Sequence, residues 1–167
     1  GLYALSGGLG SLGLLVANWL ASYEATPLWL LGRSGLVSRH EGILRHLWQS
    51  DTGATTRRCD LSCHEEASSL GADASGLHGF VHAGGVLQDA VLTNMTPAHC
   101  RAAFAPKVSG LLKVEAWLQA APLNTALLFS SIAASWVVRR NQTTQVQTPP
   151  WTRLQWCGSL KARWAAA

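Results

Sequence analysis

A strand has to stop and a helix has to start within residues 6 to 13. There Ser6-Gly7-Gly8-Leu9-Gly10-Ser11-Leu12-Gly13 separates the apolar run Leu2 to Leu5 from GLLVANWLASY, whose apolar residues recur at helical spacing from Leu12 to Leu20. The turn satisfies both G-x-G-x-x-G (Gly8, Gly10, Gly13) and G-x-x-G-x-x-G (Gly7, Gly10, Gly13). A bare glycine pattern is also compatible with a turn used for packing alone. Between a strand and a helix, however, glycine lets the backbone approach a pyrophosphate held by N–H groups at the helix N-terminus.

The same alternation continues along the chain. PLWLLGRSG reads as a short buried strand entered through Pro27, GILRHLWQ as an amphipathic helix, and ATTRRCDL as a weaker strand ending at Asp60. A polar helical stretch with Glu65, Glu66 and Leu70 follows. GLHGFVHAGGV then supplies a fourth strand and a small-residue turn, TPAHCRAAFAPKVSGLLKVEAWLQ one or two helices, and NTALLFSS a fifth strand. Strands that are continuously apolar and alternate with helices indicate an α/β fold, a Rossmann-type doubly wound parallel sheet covered on both faces and truncated after about five strands.

The net charge of +4 could suggest a nucleic-acid partner, but residues 1–136 hold eight Lys/Arg against nine Asp/Glu, a balance of −1. The surplus lies in residues 137–167, with five basic residues, no acidic ones and three of the eight tryptophans. Two segments are therefore expected: residues 1–136 as a partial nucleotide-binding core, and 137–167 as a tail of different character. Nucleic acid is not expected as a partner. No apolar run reaches the roughly 18 residues of a membrane span. Cys59, Cys63, Cys100 and Cys157 form no CxxC pair, so free thiols are expected and a metal site is not. Gly1 opens directly into an apolar run, which reads as an excerpt from something longer.

The end of the second strand discriminates between dinucleotides. An acid there would accept from a ribose 2′-hydroxyl, whereas Arg33 can pair with a 2′-phosphate and Ser34 can donate to it, favouring NADPH over NADH. Asp60, before apolar Leu61, can accept from an adenine amino group or cap the following helix.

The segments SGGLGSLGLLVANWL, LWLLGRSG, GFVHAGGVLQDAVLTNMTP, FAPKVSGLLKVEAWL and LLFSSIAASW, in this order and spacing, resemble the ketoreductase domains of modular polyketide synthases. That family lies within the short-chain dehydrogenase/reductase superfamily, with fatty acid synthases more distant. The resemblance covers Gly1 to Trp136. It implies reduction of a β-ketoacyl group on an acyl carrier protein with NADPH, neighbouring synthase domains as partners, no membrane, and a cytoplasmic location or that of the parent synthase. In the family a Tyr gives the proton, a Ser hydrogen-bonds the carbonyl, and a Lys and an Asn support the Tyr. By motif, Lys107 in APKVSG is the lysine and Ser131 in LFSS the serine. Val81 to Gly85 fall at the family's turn under the nicotinamide, with Ala83 and Gly84 at the cofactor and His82 expected to be a packed strand-end residue. Trp136 matches producers of the L-alcohol, while Asp89 matches one acid of the motif of D-alcohol producers.

After SSxxxxW the family continues G-S-x-x-Q-x-x-Y-x-x-x-N. This chain has Thr144 in the tyrosine slot and Thr148 in the asparagine slot. An aliphatic hydroxyl is far less acidic than a phenol, so the chain as written is expected to be inactive or severely impaired. Codons straddling each residue pair offer a reason. In the frame that joins the last base of one codon to the next two, Trp136 with Val137 must encode Gly, Thr143 with Thr144 can encode Tyr, and Gln147 with Thr148 can encode Asn. Residues 137–167 are therefore read as a frameshifted translation and expected to be coil, lacking the helices, further strand and substrate lid the family places there. Two alternatives remain: a structural ketoreductase remnant that binds nucleotide without catalysis, and another short-chain reductase on the same fold.

Overall fold

A computed structural model describes residues 1–37, 40–73, 76–86, 88, 92–120, 123–130 and 163–166. In chain order the elements are β1 (Leu2–Ser6), α1 (Ser11–Ser22), β2 (Leu28–Gly32), α2 (Glu41–Gln49), β3 (Thr55–Arg58), α3 (His64–Asp73), β4 (Leu77–His82), α4 (Pro97–Phe104), α5 (Gly110–Ala120), β5 (Thr125–Ser130) and β6 (Arg163–Ala166). The strands form one sheet in the order β3-β2-β1-β4-β5-β6, every pairing parallel. β1 therefore lies between β2 and β4. The chain winds outward from it in both directions, and the crevice beyond its carboxyl end is the switch point of such sheets.

Successive strand residues point to opposite faces and both faces of the central strands are covered, which is why β1, β2 and β4 are mostly apolar while the outer β3, TTRR, is not. Ala4, Leu31 and Phe80 pack on one face with Ala67 and Leu70 of α3 and Leu111 and Val114 of α5. Their sequence neighbours Leu5, Leu30 and Val81 pack on the other with Leu14 and Ala17 of α1 and Leu44 and Leu47 of α2. Two hydrophobic layers result, and the sheet between them is fixed in register by both.

The start of α4 follows from its sequence. Thr96 Oγ1 accepts from the His99 N–H at 3.3 Å while the Thr96 N–H donates to His99 Nδ1 at 3.4 Å, and Pro97 opens the helix. Between α4 and α5, residues Ala105–Ser109 form a π-helix. Lys113 Nζ donates to the Ser62 carbonyl, tying α5 to the turn after β3.

The structure differs from the sequence reading in two places. β3 ends at Arg58, so Asp60 stands two residues past the strand instead of closing it. The tail, expected to be coil beyond a sheet of about five strands, supplies β6, which pairs Leu127 with Arg163 and Ser130 with Ala166. The physical reason is that the outer edge of β5 presents a row of N–H and C=O groups, and pairing along it asks little of side-chain identity. Among the described residues no helix is long and apolar enough to cross a membrane.

Candidate active site

The turn after β1 and the turn after β4 meet backbone to backbone. The Ala83 N–H donates to the Ser6 carbonyl at 2.8 Å. Gly7 has φ +73°, a left-handed conformation, and a Cβ there would lie 2.7 Å from Gly84 N and Cα. A Cβ on Gly13 would overlap the Gly7 carbonyl oxygen, so the first turn of α1 can pack onto the strand end only with glycine there. The Gly10 N–H is used by Gly7, and that of Gly8 is shared between the Leu5 and Leu31 carbonyls at 3.1 Å each. Helix geometry leaves the N–H groups of Ser11, Leu12 and Gly13 without intrahelical acceptors. No side chain caps α1 and no acid occupies its first turn. Its positive end is thus left uncompensated at the mouth of the crevice, a suitable seat for a pyrophosphate.

This cradle opens into a cleft of about 570 Å³ lined by Gly7, Leu9, Gly10, Arg33, Ser34, Asp60, Leu61, Ala83 and Gly84 from the sequence-derived set. Gly8, Gly13 and His82 are buried and outside that lining, and Leu12 is exposed on the first turn of α1. Arg33 is exposed at the rim. The Ser34 hydroxyl donates to the Leu36 carbonyl and accepts from the Leu36 N–H, both at 3.2 Å, so it is engaged within its own turn. Asp60 Oδ1 accepts from Ser62 N–H at 2.8 Å and Ser62 Oγ–H at 2.6 Å, while the Asp60 N–H donates to Glu66 Oε2 at 2.7 Å. Its carboxylate thus shapes the loop into α3 and also borders the cleft.

Next to Gly85 and Pro106, which line the far end of the cleft, Lys107 stands half-buried in the π-helix. Such insertions are common where a side chain has to be re-aimed. Its Cε lies 3.1 Å from where a Gly85 Cβ would sit, so the lysine stem lies across that glycine. Burial lowers the Lys107 pKa below its ordinary value. His82, buried at the end of β4 and stacked on Phe80 with ring centroids 6.3 Å apart, is held down to about pKa 4, first by burial and then by the Lys107 charge. Such a histidine is neutral at physiological pH and packs beside the ammonium without competing for its role. Cys59, under the floor of the cleft, is pushed up to about 11 by burial and by the nearby Glu66, Asp60 and Cys63, so it is a thiol and no nucleophile.

Among the sequence-derived candidates, Asp89, Ser131, Trp136, Thr144 and Thr148 lie outside the described residues. Gly85, placed by sequence in the turn under the nicotinamide, also lines the cleft; reasoning from sequence missed Leu36, Cys59, Val86 and Pro106, which line it too, and Arg58, whose Nε donates to the Arg33 carbonyl at 3.2 Å. For Val86 and Pro106 the signal was adjacency to recognised motifs. For Arg58 there was none, because its position depends on the pairing of β3 with β2.

The KR domain family model matches residues 1–145. The chain belongs to the KR domain family. This KR chain is 33% identical over 139 residues to the polyketide synthase PksN of Bacillus subtilis, covering 80% of the chain and 2% of that synthase. It is 32% identical over 145 residues to the 6-methylsalicylic acid synthase of Aspergillus niger, covering 77% of the chain and 8% of that protein. Among solved structures it is similar to a ketoreductase domain from the bacillaene assembly line, with TM-score 0.78, 29% identity, and coverage of 89% of this chain and 37% of that one. The KR chain thus spans a small part of these multidomain synthases and about a third of the solved domain. Its fold is that of nicotinamide-cofactor-binding reductases.

Proposed function

We propose that this chain is the cofactor-binding part of a polyketide synthase ketoreductase that reduces a β-ketoacyl thioester, presented on an acyl carrier protein, to the β-hydroxyacyl form with NADPH. The observation that carries the reading is one cleft that runs from a backbone-built phosphate cradle with a cation at its rim to Gly85 and Pro106, with the stem of the half-buried Lys107 lying against Gly85. When bound, the nicotinamide cofactor supplies the hydride. Arg33 pairs with the 2′-phosphate, and Ser34 joins it once its hydroxyl turns away from Leu36. The N–H groups at the start of α1 hold the pyrophosphate. The Lys107 ammonium lowers the cost of an anion near it and so favours ionisation of a neighbouring phenol. Neutral His82 leaves that charge undivided. By family position Ser131 donates to the substrate carbonyl, where negative charge develops, and Asp89 and Trp136 border the acyl group.

As written, Thr144 and Thr148 leave the proton donor and its support absent, which makes this polypeptide inactive. Residues 137–167 are a frameshifted translation whose neighbouring frame carries the tyrosine and the asparagine. The repaired domain, given NADPH and a β-ketoacyl thioester, should consume the coenzyme, measured as loss of its absorbance. No turnover would overturn the reading. Thr144 itself favours a second one, a structural remnant that binds nucleotide without reducing anything. An intact transcript encoding threonine there would select that second reading.

A further inference from the structure

The pairing of β2 with β3 sets Gly32 opposite Arg58, which places a second guanidinium beside the turn that carries Arg33. We infer that Arg58 is a further specificity-determining residue, a second cation that recognises a 2′-phosphorylated adenosine together with Arg33.

Three contacts support this assignment. The Arg58 Nε–H donates to the Arg33 carbonyl at 3.2 Å, which fixes the base of the Arg33 turn and spends only one of the guanidinium donors. Gly35, at φ +68°, brings that turn down onto the Arg58 stem, where an added Cβ would lie 3.3 Å from Arg58 Cβ. The Arg58 side chain is 72% exposed and its ion pair is loose, Nη2 to Glu66 Oε1 at 3.8 Å, while the other Glu66 oxygen is held by the Asp60 N–H at 2.7 Å. Arg58 therefore retains donors, and it lines a groove of about 700 Å³ that adjoins the dinucleotide cleft through Cys59, which lines both.

Glu66 is the carboxylate paired with Arg58, and its hold is weak at this distance in solvent. A dianionic phosphate ester offers three acceptor oxygens and a stronger field than one carboxylate, so it competes for Arg58 and relieves the repulsion between the two cations. A ribose 2′-hydroxyl offers neither advantage. The discrimination is thus built from two strands: Arg33 follows β2 and Arg58 closes β3.

The inference rests on the NADPH reading, and the experiment separates the two. Calorimetry on the 167-residue chain would compare adenosine 2′,5′-bisphosphate with adenosine 5′-monophosphate. Arg58→Gln should weaken the bisphosphate about tenfold, as expected for loss of a charge-assisted contact, and leave the monophosphate within twofold. Arg58→Lys should recover most of that loss. Glu66→Gln keeps an acceptor for the Asp60 N–H but removes the competing charge, so it should tighten the bisphosphate a few-fold even if Arg58→Gln does not fold. Equal weakening of both nucleotides by Arg58→Gln would reduce Arg58 to a brace for the turn and overturn the inference. So would unchanged bisphosphate affinity in both Arg58→Gln and Glu66→Gln. If the unaltered chain itself binds the two nucleotides equally, the NADPH reading fails first and the inference falls with it.

Discussion

The two ends of the cleft are built from different materials. Around Gly7, Gly13 and Gly84 the surface is backbone, held by hydrogen bonds among the turns after β1 and β4, and its only obligatory side-chain property is absence. Behind the Gly84–Gly85 end stand two titratable side chains in a poorly solvated place, Lys107 and the buried His82, and both have pKa values displaced by burial. A backbone cradle offers fixed partial charges that do not change with pH. A buried ammonium next to a neutral imidazole is a charge distribution that pH can rewrite. Coenzyme binding and proton handling should therefore respond to different perturbations.

The largest expected effect tests the backbone end. Gly7→Ala places a methyl 2.7 Å from Gly84 backbone atoms and forces a side-chain-bearing residue to φ +73°. The combined overlap and strain should cost about 3 kcal/mol or more, because neither turn can retreat without breaking the Ala83 to Ser6 hydrogen bond. Chemical denaturation would report the loss, and calorimetry should detect no nucleotide binding. Wild-type stability in this variant would mean that the two turns are not locked together, and the contrast would dissolve.

A smaller effect is expected from pH, and it belongs to the other end. The His82 pKa falls from the ordinary 6.5 to about 4 in the folded chain, so between those values the unfolded chain binds more protons than the folded one. Stability is then complete above about pH 6.5, declines as pH falls, and stops declining near pH 4, with a total loss of about 3 kcal/mol at this site. His82→Gln cannot take up the proton. Denaturation midpoints of the two proteins across this window should converge toward the acid side, and parallel curves would show that His82 is not the group responsible.

These two ends were not equally legible in the amino-acid sequence. The glycine turn could be placed because its neighbours are local: an apolar strand before it, a periodic helix after it, and steric rules that apply to any chain. Lys107 was singled out by its motif, but its half-buried setting follows from α5 packing against α3 and the turn after β3, contacts between residues far apart in sequence. Arg58 went unnoticed because its role depends on the register of β3 against β2. Asp60 was expected to close β3, which instead ends at Arg58, and its hydrogen bonds to Ser62 and Glu66 are contacts that no periodicity records. The segment that became β6 carries little strand pattern of its own, and an open sheet edge recruited it.

The smallest effect on stability, and the sharpest test of the contrast, lies where the two materials touch. Gly85 continues the backbone turn after β4, yet the atom nearest to its missing Cβ belongs to the lysine, Cε at 3.1 Å. In Gly85→Ala the obstacle is a flexible stem that can move by a few tenths of an ångström, so the fold should change by less than about 0.5 kcal/mol, in the range of ordinary surface substitutions. The cradle residues are untouched, and nucleotide affinity should stay within twofold. Lys107 Nζ, however, lies at the end of the displaced stem, and an ammonium moved by a fraction of an ångström loses its alignment with the group it supports. Turnover of the repaired domain should therefore fall roughly tenfold with the KM for NADPH unchanged, since a small misplacement acts on the reacting geometry and not on binding. A matched rise in that KM would show that Gly85 belongs to the phosphate cradle, and the boundary between backbone and side-chain chemistry would have to be drawn closer to Lys107.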